Sequence, residues 1–170
     1  IFLILGVSLY VFIQKSATYY NFEIFSSEIG SDVKIVFDDM AVPHIYAESE
    51  TDAMFALGYV HASERLWQMD LLRRAGGGEL SELLGADMIE NDRYLRTLGL
   101  RNAAIKDAAE FEHTSSEKTK SAALAYLKGI NTFIGEENYP VEYLILGATP
   151  QQFNPVDMYK VAGFMAYSFA

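Results

Sequence analysis

Few side chains of this 170-residue chain have the types and spacing that catalysis or metal binding requires. His61 and Glu64 lie three residues apart, so on a helix both would face one side and could begin a metal site. Such a site needs three or four ligands, and the other two histidines, His44 and His113, are distant along the chain. We therefore interpret His61 and Glu64 as part of a polar helix face and predict no metal site in this chain.

No nucleophile comes with its catalytic partners. The chain has no cysteine, which excludes thiol catalysis, disulfides and cysteine-based zinc sites. It has no Gly-x-Ser-x-Gly motif, and a triad assembled from Ser63, His44 and Asp70 would be arbitrary because triads are defined by geometry. The run Gly76-Gly77-Gly78 lacks the preceding strand and the following Gly-Lys-Ser/Thr of a phosphate loop. Composition and spacing alone identify no self-contained catalytic set.

The composition is that of an acidic globular chain. Hydrophobic residues make up 51% and aromatic residues 14%, enough to form a core, and the formal net charge is -10. Because this charge repels phosphate backbones, we expect no nucleic-acid partner.

The two ends of the chain suggest a longer precursor. Residues 1–13 are almost entirely apolar, and we expect residues 1–18 to be a signal peptide or the remnant of a membrane anchor. Either would place the protein in the periplasm or another extracytoplasmic location, with membrane attachment through residues 1–13; a buried core helix is the alternative. The chain closes at Ala170 in an apolar run without a helix stop signal, so we expect residues 30–170 to be a truncated domain.

The elements that must position these residues are one hairpin and then mainly helices. Residues 32–37 and 42–47 predict two strands joined by a turn. Ser49, followed three residues later by Asp52, predicts a helix N-cap. A long helix to about Arg74 follows, because apolar residues recur at spacings of three and four: Phe55, Tyr59, Ala62, Leu66 and Met69. The three glycines at 76–78 should end it.

Four more helices are predicted after these glycines. They cover residues 79–84, residues 102–111, a segment from Thr114 to Gly135, and a last segment opened by Pro155 and Asp157. Thr114 with Glu117 predicts the capping box of the third.

Several short motifs follow one another in a specific order. They are Val42-Pro43-His44-Ile45, Gly58 to Met69 (Gly-Tyr-Val-His-Ala-Ser-Glu-Arg-Leu-Trp-Gln-Met), Arg73-Arg74, Glu82 to Gly85, Asp92, Arg96, Gly129-Ile130-Asn131, and Pro155 with Asp157. In order and spacing they resemble the N-terminal (alpha-chain) segment of the penicillin acylase family of N-terminal-nucleophile hydrolases, from about Val33 to the end of the chain.

The resemblance implies an α+β protein with the four-layer αββα N-terminal-nucleophile hydrolase fold, of which this part is mainly helical after an N-terminal β-hairpin. A precursor in this family cuts itself into alpha and beta chains, and the N-terminal Ser of the beta chain is the nucleophile. Its free α-amine titrates near pH 8 and can act as the base. The implied activity is hydrolysis of the amide bond of N-acyl substrates: penicillins, acyl-homoserine lactones or related acylated amines.

The resemblance assigns no catalytic residue to this chain, which would be inactive alone, and names the beta chain of the same precursor as its partner. No cofactor is expected in this chain. Some members bind calcium in the complete protein, and the alpha-chain carboxylate of that site would fall just past Ala170.

One binding contribution is carried over from the penicillin-cleaving members. A Met and a Phe four residues apart on their last alpha-chain helix line the acyl pocket, and Met165 and Phe169 resemble that pair. Plain core packing is the alternative for both residues. Ser168 stands where those members carry an Arg, so their substrate preference is not transferred. Ala41 replaces a usual Gly, from which we expect the preceding turn not to need a positive φ.

Two other functions stay open from the sequence. The chain could be a noncatalytic, membrane-anchored helical domain that binds a partner through an apolar face. It could also belong to a family member that has lost its nucleophile.

Overall fold

The computed structural model describes residues 29–170, together with Gly6 and Tyr10. The expectation of a leader or anchor in residues 1–18 therefore falls outside the described residues, apart from these two positions. Within the described residues no helix is both long and apolar enough to cross a membrane.

The described chain is an antiparallel hairpin followed by helices, as the sequence predicts. A short 3-10 turn at Ala86–Met88 lies between the second and the third of these helices. The elements are β1 (Lys34–Phe37), β2 (Pro43–Tyr46), α1 (Glu50–Gly77), α2 (Ser81–Leu84), α3 (Ile89–Thr97), α4 (Leu100–Thr114), α5 (Glu117–Gly135), α6 (Val141–Leu146) and α7 (Pro155–Ser168).

The hairpin turn corrects one expectation. In the register of the strands Phe37 lies opposite Pro43, and one carboxylate oxygen of Asp38 accepts hydrogen bonds from the amides of Met40 and Val42, both at 2.9 Å. Ala41 has φ 58°, so the expectation that this turn needs no positive φ was wrong. The left-handed region costs a non-glycine residue roughly 1–2 kcal/mol, and the hydrogen bonds to Asp38 and the strand pairing hold the turn despite that cost.

The 28-residue helix α1 is the centre of the fold. The Ser49 hydroxyl accepts the amide hydrogen of Asp52 at 3.0 Å, which confirms the predicted N-cap. The helix runs to Gly77, slightly beyond the predicted end, and Gly78 stops it with φ 64°. A positive φ at this position favours glycine because it has no Cβ.

The predicted apolar stripe of α1 forms the main core. Tyr59, Ala62 and Leu66 are buried there against α5, α6 and Phe153, and Phe55 is buried at 2% exposure. The rings of Tyr59 and Phe133 meet edge to face with centroids 5.6 Å apart. The same stripe therefore joins α1 to α5 and α6, which are distant from it in sequence.

Two glycines let α1 and α5 approach each other. A Cβ on Gly58 would lie 2.0 Å from the Tyr126 carbonyl oxygen, and a Cβ on Gly129 would lie 2.0 Å from that of Phe55. Each helix thus offers a glycine to the backbone of the other, and no larger residue fits unless the helices separate.

Helix ends away from α1 were predicted less well. The prediction that Thr114 caps the 117–135 helix was wrong. Ser116 is the cap, accepting the amide hydrogen of Thr119 at 3.1 Å, whereas Thr114 ends α4 and donates its hydroxyl hydrogen to the Glu110 carbonyl at 2.8 Å. The helices α3 and α6 were not predicted. Pro155 and Asp157 do open α7, where Asn154 and Asp157 form a reciprocal capping box.

Candidate functional site

A buried cluster of charged side chains occupies the C-terminal third of α1. At its centre is Asp70, whose side chain is 0% exposed. One carboxylate oxygen accepts from the Nε of Arg73 at 2.6 Å and of Arg74 at 3.0 Å. The other accepts the hydroxyl hydrogen of Tyr143, on α6, at 2.8 Å. Because both of its oxygens are paired, this buried carboxylate has a structural role and links α1 to α6.

Arg73 extends the cluster to the segment before α7. Its two terminal nitrogens donate to the carbonyl oxygens of Gln152 at 3.1 Å and Gln151 at 2.9 Å. Its guanidinium carbon lies 4.0 Å from the centroid of the Phe153 ring, a cation–π contact. One nitrogen also lies 3.5 Å from an Asp157 carboxylate oxygen. The planar guanidinium of Arg73 therefore fixes the backbone of the segment just before α7.

A second set of contacts joins α7 to α1 and to the segment that follows α1. The Lys160 ammonium group, mostly buried, lies 3.1 Å from Glu79 and 3.3 Å from Asp157. A Cβ on Gly76 would lie 2.2 Å from the Lys160 carbonyl oxygen, so the two helices cross in close contact here. The start of α7 is thereby fixed to α1 by backbone proximity and to the segment just after α1 by the ion pair between Lys160 and Glu79.

Asn131 fixes the same segment from α5. Its amide nitrogen donates to the Phe153 carbonyl at 2.9 Å, and its amide oxygen accepts from the Phe153 amide at 2.7 Å. The side chain pairs with this residue as a neighbouring strand would. Phe153 is thus held through its backbone by Asn131 and through its ring by Arg73.

The pKa values of Tyr143 and Asp92 are shifted in the direction that preserves their hydrogen bonds. Burial, followed by the charge of Asp70, raises the pKa of Tyr143 above its ordinary value, so its hydroxyl remains a donor well into the alkaline range. The buried Asp92 accepts the amides of Leu80 and Ser81, both at 2.8 Å. Burial alone would raise the pKa of Asp92, but the hydrogen bonds from the Ser81 hydroxyl and these two amides lower it below its ordinary value.

From the sequence, the residues of this cluster were at most parts of the motifs that carry the family resemblance, and their structural roles were not predicted. Charged residues at 70, 73 and 74 on a helix that is otherwise apolar were the available signal, since a charge is buried only when it is paired. Their partners, Tyr143 and residues 151–153, are distant in sequence and could not be assigned. The residues that carry the family resemblance here are largely structural.

The structure does not bring together the arbitrary triad of Ser63, His44 and Asp70. The Ser63 hydroxyl donates to the Val60 carbonyl at 2.9 Å, and His44 lies 3.2 Å from Asp38 in the hairpin. In residues 29–170 these three side chains have separate structural partners.

His61 and Glu64, which the sequence predicts to share a polar face of α1, have different surroundings. His61 lies 3.0 Å from the Tyr126 hydroxyl. One carboxylate oxygen of Glu64 is buried and has no hydrogen-bond partner within the described residues. No group of three His, Asp or Glu side chains in residues 29–170 is arranged to hold a metal ion.

The two predicted pocket residues lie at the far end of α7. Met165 is on the helix and 44% exposed, and Phe169 follows its last residue and is 84% exposed. Tyr167, between them, is 40% exposed, and its hydroxyl lies 2.7 Å from that of Tyr94 on α3. This apolar end of α7 (residues 165–169) is not part of the core of the described residues.

Comparison with known proteins agrees with this architecture. The family described as penicillin amidase matches residues 32–170. The chain is 39% identical over 128 residues to penicillin acylase 2 proenzyme of Pseudomonas sp. (strain SE83), and 34% identical over 131 residues to acyl-homoserine lactone acylase QuiP of Pseudomonas fluorescens (strain Pf0-1). It is 30% identical over 159 residues to penicillin G acylase of Escherichia coli.

The matched regions cover 75%, 76% and 89% of this chain, respectively, but only 16% to 18% of the length of these relatives. Among solved structures, a chain of the thermostable penicillin G acylase from Alcaligenes faecalis matches with a TM-score of 0.70 and 25% identity. That match covers 81% of this chain and 74% of the other chain. The two chains are therefore of similar length.

Proposed function

Because the chain belongs to the penicillin amidase family, we propose that it is the alpha-chain segment of a self-processing amidohydrolase. The enzyme cleaves the amide bond of N-acyl substrates: penicillins, acyl-homoserine lactones or related acylated amines. The nucleophile comes from a beta chain of the same precursor, and this segment alone is inactive. The single observation that carries the proposal is the match over residues 32–170, on a fold shared with a solved penicillin G acylase.

The lengths of the relatives support a precursor that is cut. The chain corresponds to about one sixth of the curated relatives, one of which is named a proenzyme. It nevertheless matches most of one chain of the solved acylase. A long precursor that yields a separate short chain accounts for both observations.

The placement of the charged groups supports a nucleophile from elsewhere. The buried side chains of Asp70, Arg73 and Arg74 are paired with one another, with the side chains of Tyr143 and Glu82, or with backbone carbonyls before α7, so they are committed to the fold. An N-terminal Ser on another chain would need no base from this segment, because its own α-amine is largely neutral above about pH 8 and can take the hydroxyl proton.

The exposed end of α7 supports a role in substrate binding. Met165 and Phe169 are large apolar side chains that the described residues leave uncovered. We propose that they line the acyl pocket once the beta chain covers this end of the helix. The burial of apolar area by an acyl chain would then favour longer or bulkier acyl groups.

Two further points belong to the same proposal. The protein is exported, with residues 1–18 as a leader or anchor, and acts in the periplasm or another extracytoplasmic location. We also include a calcium site in the complete protein, as the resemblance implies from some members of the family.

Expression of the whole precursor tests the proposal. Intact-mass measurement and N-terminal sequencing should find two chains, the second beginning with Ser, and the purified pair should release the amine from a series of N-acyl amides. Hydrolysis by residues 1–170 alone would contradict the assignment of the nucleophile. Correct processing without hydrolysis of any substrate in the series would indicate a family member that has lost its activity.

A further inference from the structure

We propose that Arg73 is a positioning residue for the acyl pocket: it sets the direction of α7 and thereby the place of Met165 and Phe169. This inference rests on the proposed function. Arg73 itself is buried at 4% exposure, far along the chain from both pocket residues. It acts only through the helix that carries them.

Almost every contact of Arg73 lies on the segment that starts α7. Apart from its bond to Asp70, it donates to the carbonyls of Gln151 and Gln152, packs over the Phe153 ring and approaches Asp157. A planar guanidinium can make these contacts together, whereas the ammonium of a lysine is a single point charge on a flexible stem. The shape of the side chain, in addition to its charge, therefore defines the geometry of the turn.

The buried residues of α7 lie in its first half, although α4 also packs along the helix. Asp157 and Lys160 are buried, and the Lys160 carbonyl lies against Gly76 of α1. Beyond Lys160 no described residue of α7 is buried. The contacts after Lys160 are the approach of Leu100 to Gly163 and the exposed hydroxyl pair of Tyr94 and Tyr167. The ring contact between Phe111 and Tyr159 lies just before Lys160.

This arrangement makes the end of the helix sensitive to the angle at its base. From Asp157 to Phe169 the helical rise is about 18 Å, at about 1.5 Å per residue. A tilt of about 5° at the base therefore displaces the end by roughly 1.5 Å, and misplacement of about 1 Å is enough to change rates substantially. Small changes at Arg73 should be detected as altered acyl selectivity.

The neighbouring Arg74 is a matched control. It lies on the same turn of α1, is buried to a similar extent and also pairs with Asp70, but its other partner is Glu82. No contact of Arg74 reaches residues 151–169 in the hydrogen bonds and ion pairs of the described chain. Loss of its guanidinium should weaken the fold without redirecting α7.

The experiment uses the complete precursor with Arg73→Lys, Arg74→Lys or Asn131→Asp. Asn131→Asp is the second route to the same segment, because it keeps the acceptor for the Phe153 amide and loses the donor to its carbonyl. The measurement is the ratio of kcat/KM for two N-acyl amides with a short and a long acyl chain. This ratio does not depend on the fraction of correctly folded enzyme, so a merely structural role would leave it unchanged.

We expect Arg73→Lys and Asn131→Asp to change the ratio by roughly threefold or more, and Arg74→Lys to leave it at the wild-type value despite a lower melting temperature. An unchanged ratio in Arg73→Lys, or an equal change in Arg74→Lys, would overturn the positioning role. If Met165→Ala and Phe169→Ala change the ratio and Arg73→Lys does not, the pocket assignment stands and this inference fails. Absence of amide hydrolysis by the wild-type enzyme would instead reject the proposed function.

Discussion

The two ends of α1 are both buried, but by opposite means. Its first half packs on α5 through Phe55, Tyr59 and the reciprocal glycines Gly58 and Gly129. Its last third packs on α6 and α7 through charges, with Asp70 at the centre. One helix therefore combines an apolar contact with an ionic contact of comparable burial.

The difference determines how each contact can fail. An apolar contact depends on shape and fails when an atom is added where no space exists. An ionic contact depends on complete pairing and fails when one charge is left without its partner, because the remaining charge stays buried and unpaired. The ionic end also holds the base of α7, so the helix that bears the proposed pocket residues depends on the contact that tolerates least loss of pairing.

The largest effect is expected at Asp70. Asp70→Asn removes the charge that pairs Arg73 and Arg74 and should lower the free energy of unfolding by about 3–5 kcal/mol. Urea unfolding followed by the fluorescence of Trp67, the single tryptophan, measures this, since its ring packs edge to face on Tyr143 with centroids 5.2 Å apart. Glu90→Gln, which breaks the exposed pair with Arg93, is the control and should change stability little. Equal effects of the two variants would contradict the importance of burial.

The second effect tests the apolar end. Gly58→Ala places a methyl group 2.0 Å from the Tyr126 carbonyl oxygen, and overpacking of this kind costs about 1–3 kcal/mol. Gly135→Ala is the matched control, because Gly135 is in α5 and its Cβ would meet no atom within 4 Å. Alanine is the better helix former, so the control should be neutral or stabilising. A stable Gly58→Ala variant would show that the crossing can widen at little cost.

The same contrast explains what the sequence could predict. Local signals were sufficient for the hairpin, for the Ser49 cap, for the stripe of α1 and for the start of α7, since each depends on residues a few positions apart. Asp70 pairs locally with Arg73 and Arg74. The contacts of this cluster with the rest of the fold were not predictable, because Tyr143 and the Gln151 and Gln152 carbonyls lie more than 70 residues away. The cap at Ser116 was missed since Thr114, two residues earlier, offers a similar signal and is instead used inside α4.

The candidate site also has a part that could be predicted from the sequence and a part that could not. The resemblance supplied the family, which the comparisons confirm, and it supplied Met165 and Phe169, whose role stays a prediction. The exposure of the apolar end of α7 could not be predicted from spacing. A helix of mixed apolar residues is equally compatible with core packing, and only the tertiary structure shows that Phe169 lies outside the core.

A smaller, pH-dependent effect is expected at Asp92, beside the ionic end. Its lowered pKa means that the folded state holds the proton less tightly than the unfolded state. The stability it contributes is therefore complete above about pH 4 and is lost as the pH falls through the lower folded-state value. Asp92→Asn should cost about 1–3 kcal/mol at neutral pH. The difference from wild type, measured by urea unfolding at several pH values, should shrink below pH 4; a constant difference would contradict the assignment to the charged carboxylate.

The smallest effect, and the only one expected to stabilise, is at Ala41 in the hairpin turn, outside both ends of α1. Ala41 has φ 58°, and the left-handed region costs an alanine roughly 1–2 kcal/mol that glycine does not lose. Glycine also gives the unfolded chain more freedom, which offsets about 0.4–1 kcal/mol of that gain. Ala41→Gly should therefore raise the free energy of unfolding by about 0.5–1 kcal/mol.

The control is Ala47→Gly, because φ is not positive at Ala47. This substitution increases the conformational entropy of the unfolded chain without relieving backbone strain, so it should lower the free energy of unfolding. If both substitutions lower the melting temperature, the turn does not hold Ala41 in the left-handed region. If Ala41→Gly alone raises it, the hairpin is a third kind of contact, limited by backbone strain instead of by shape or charge.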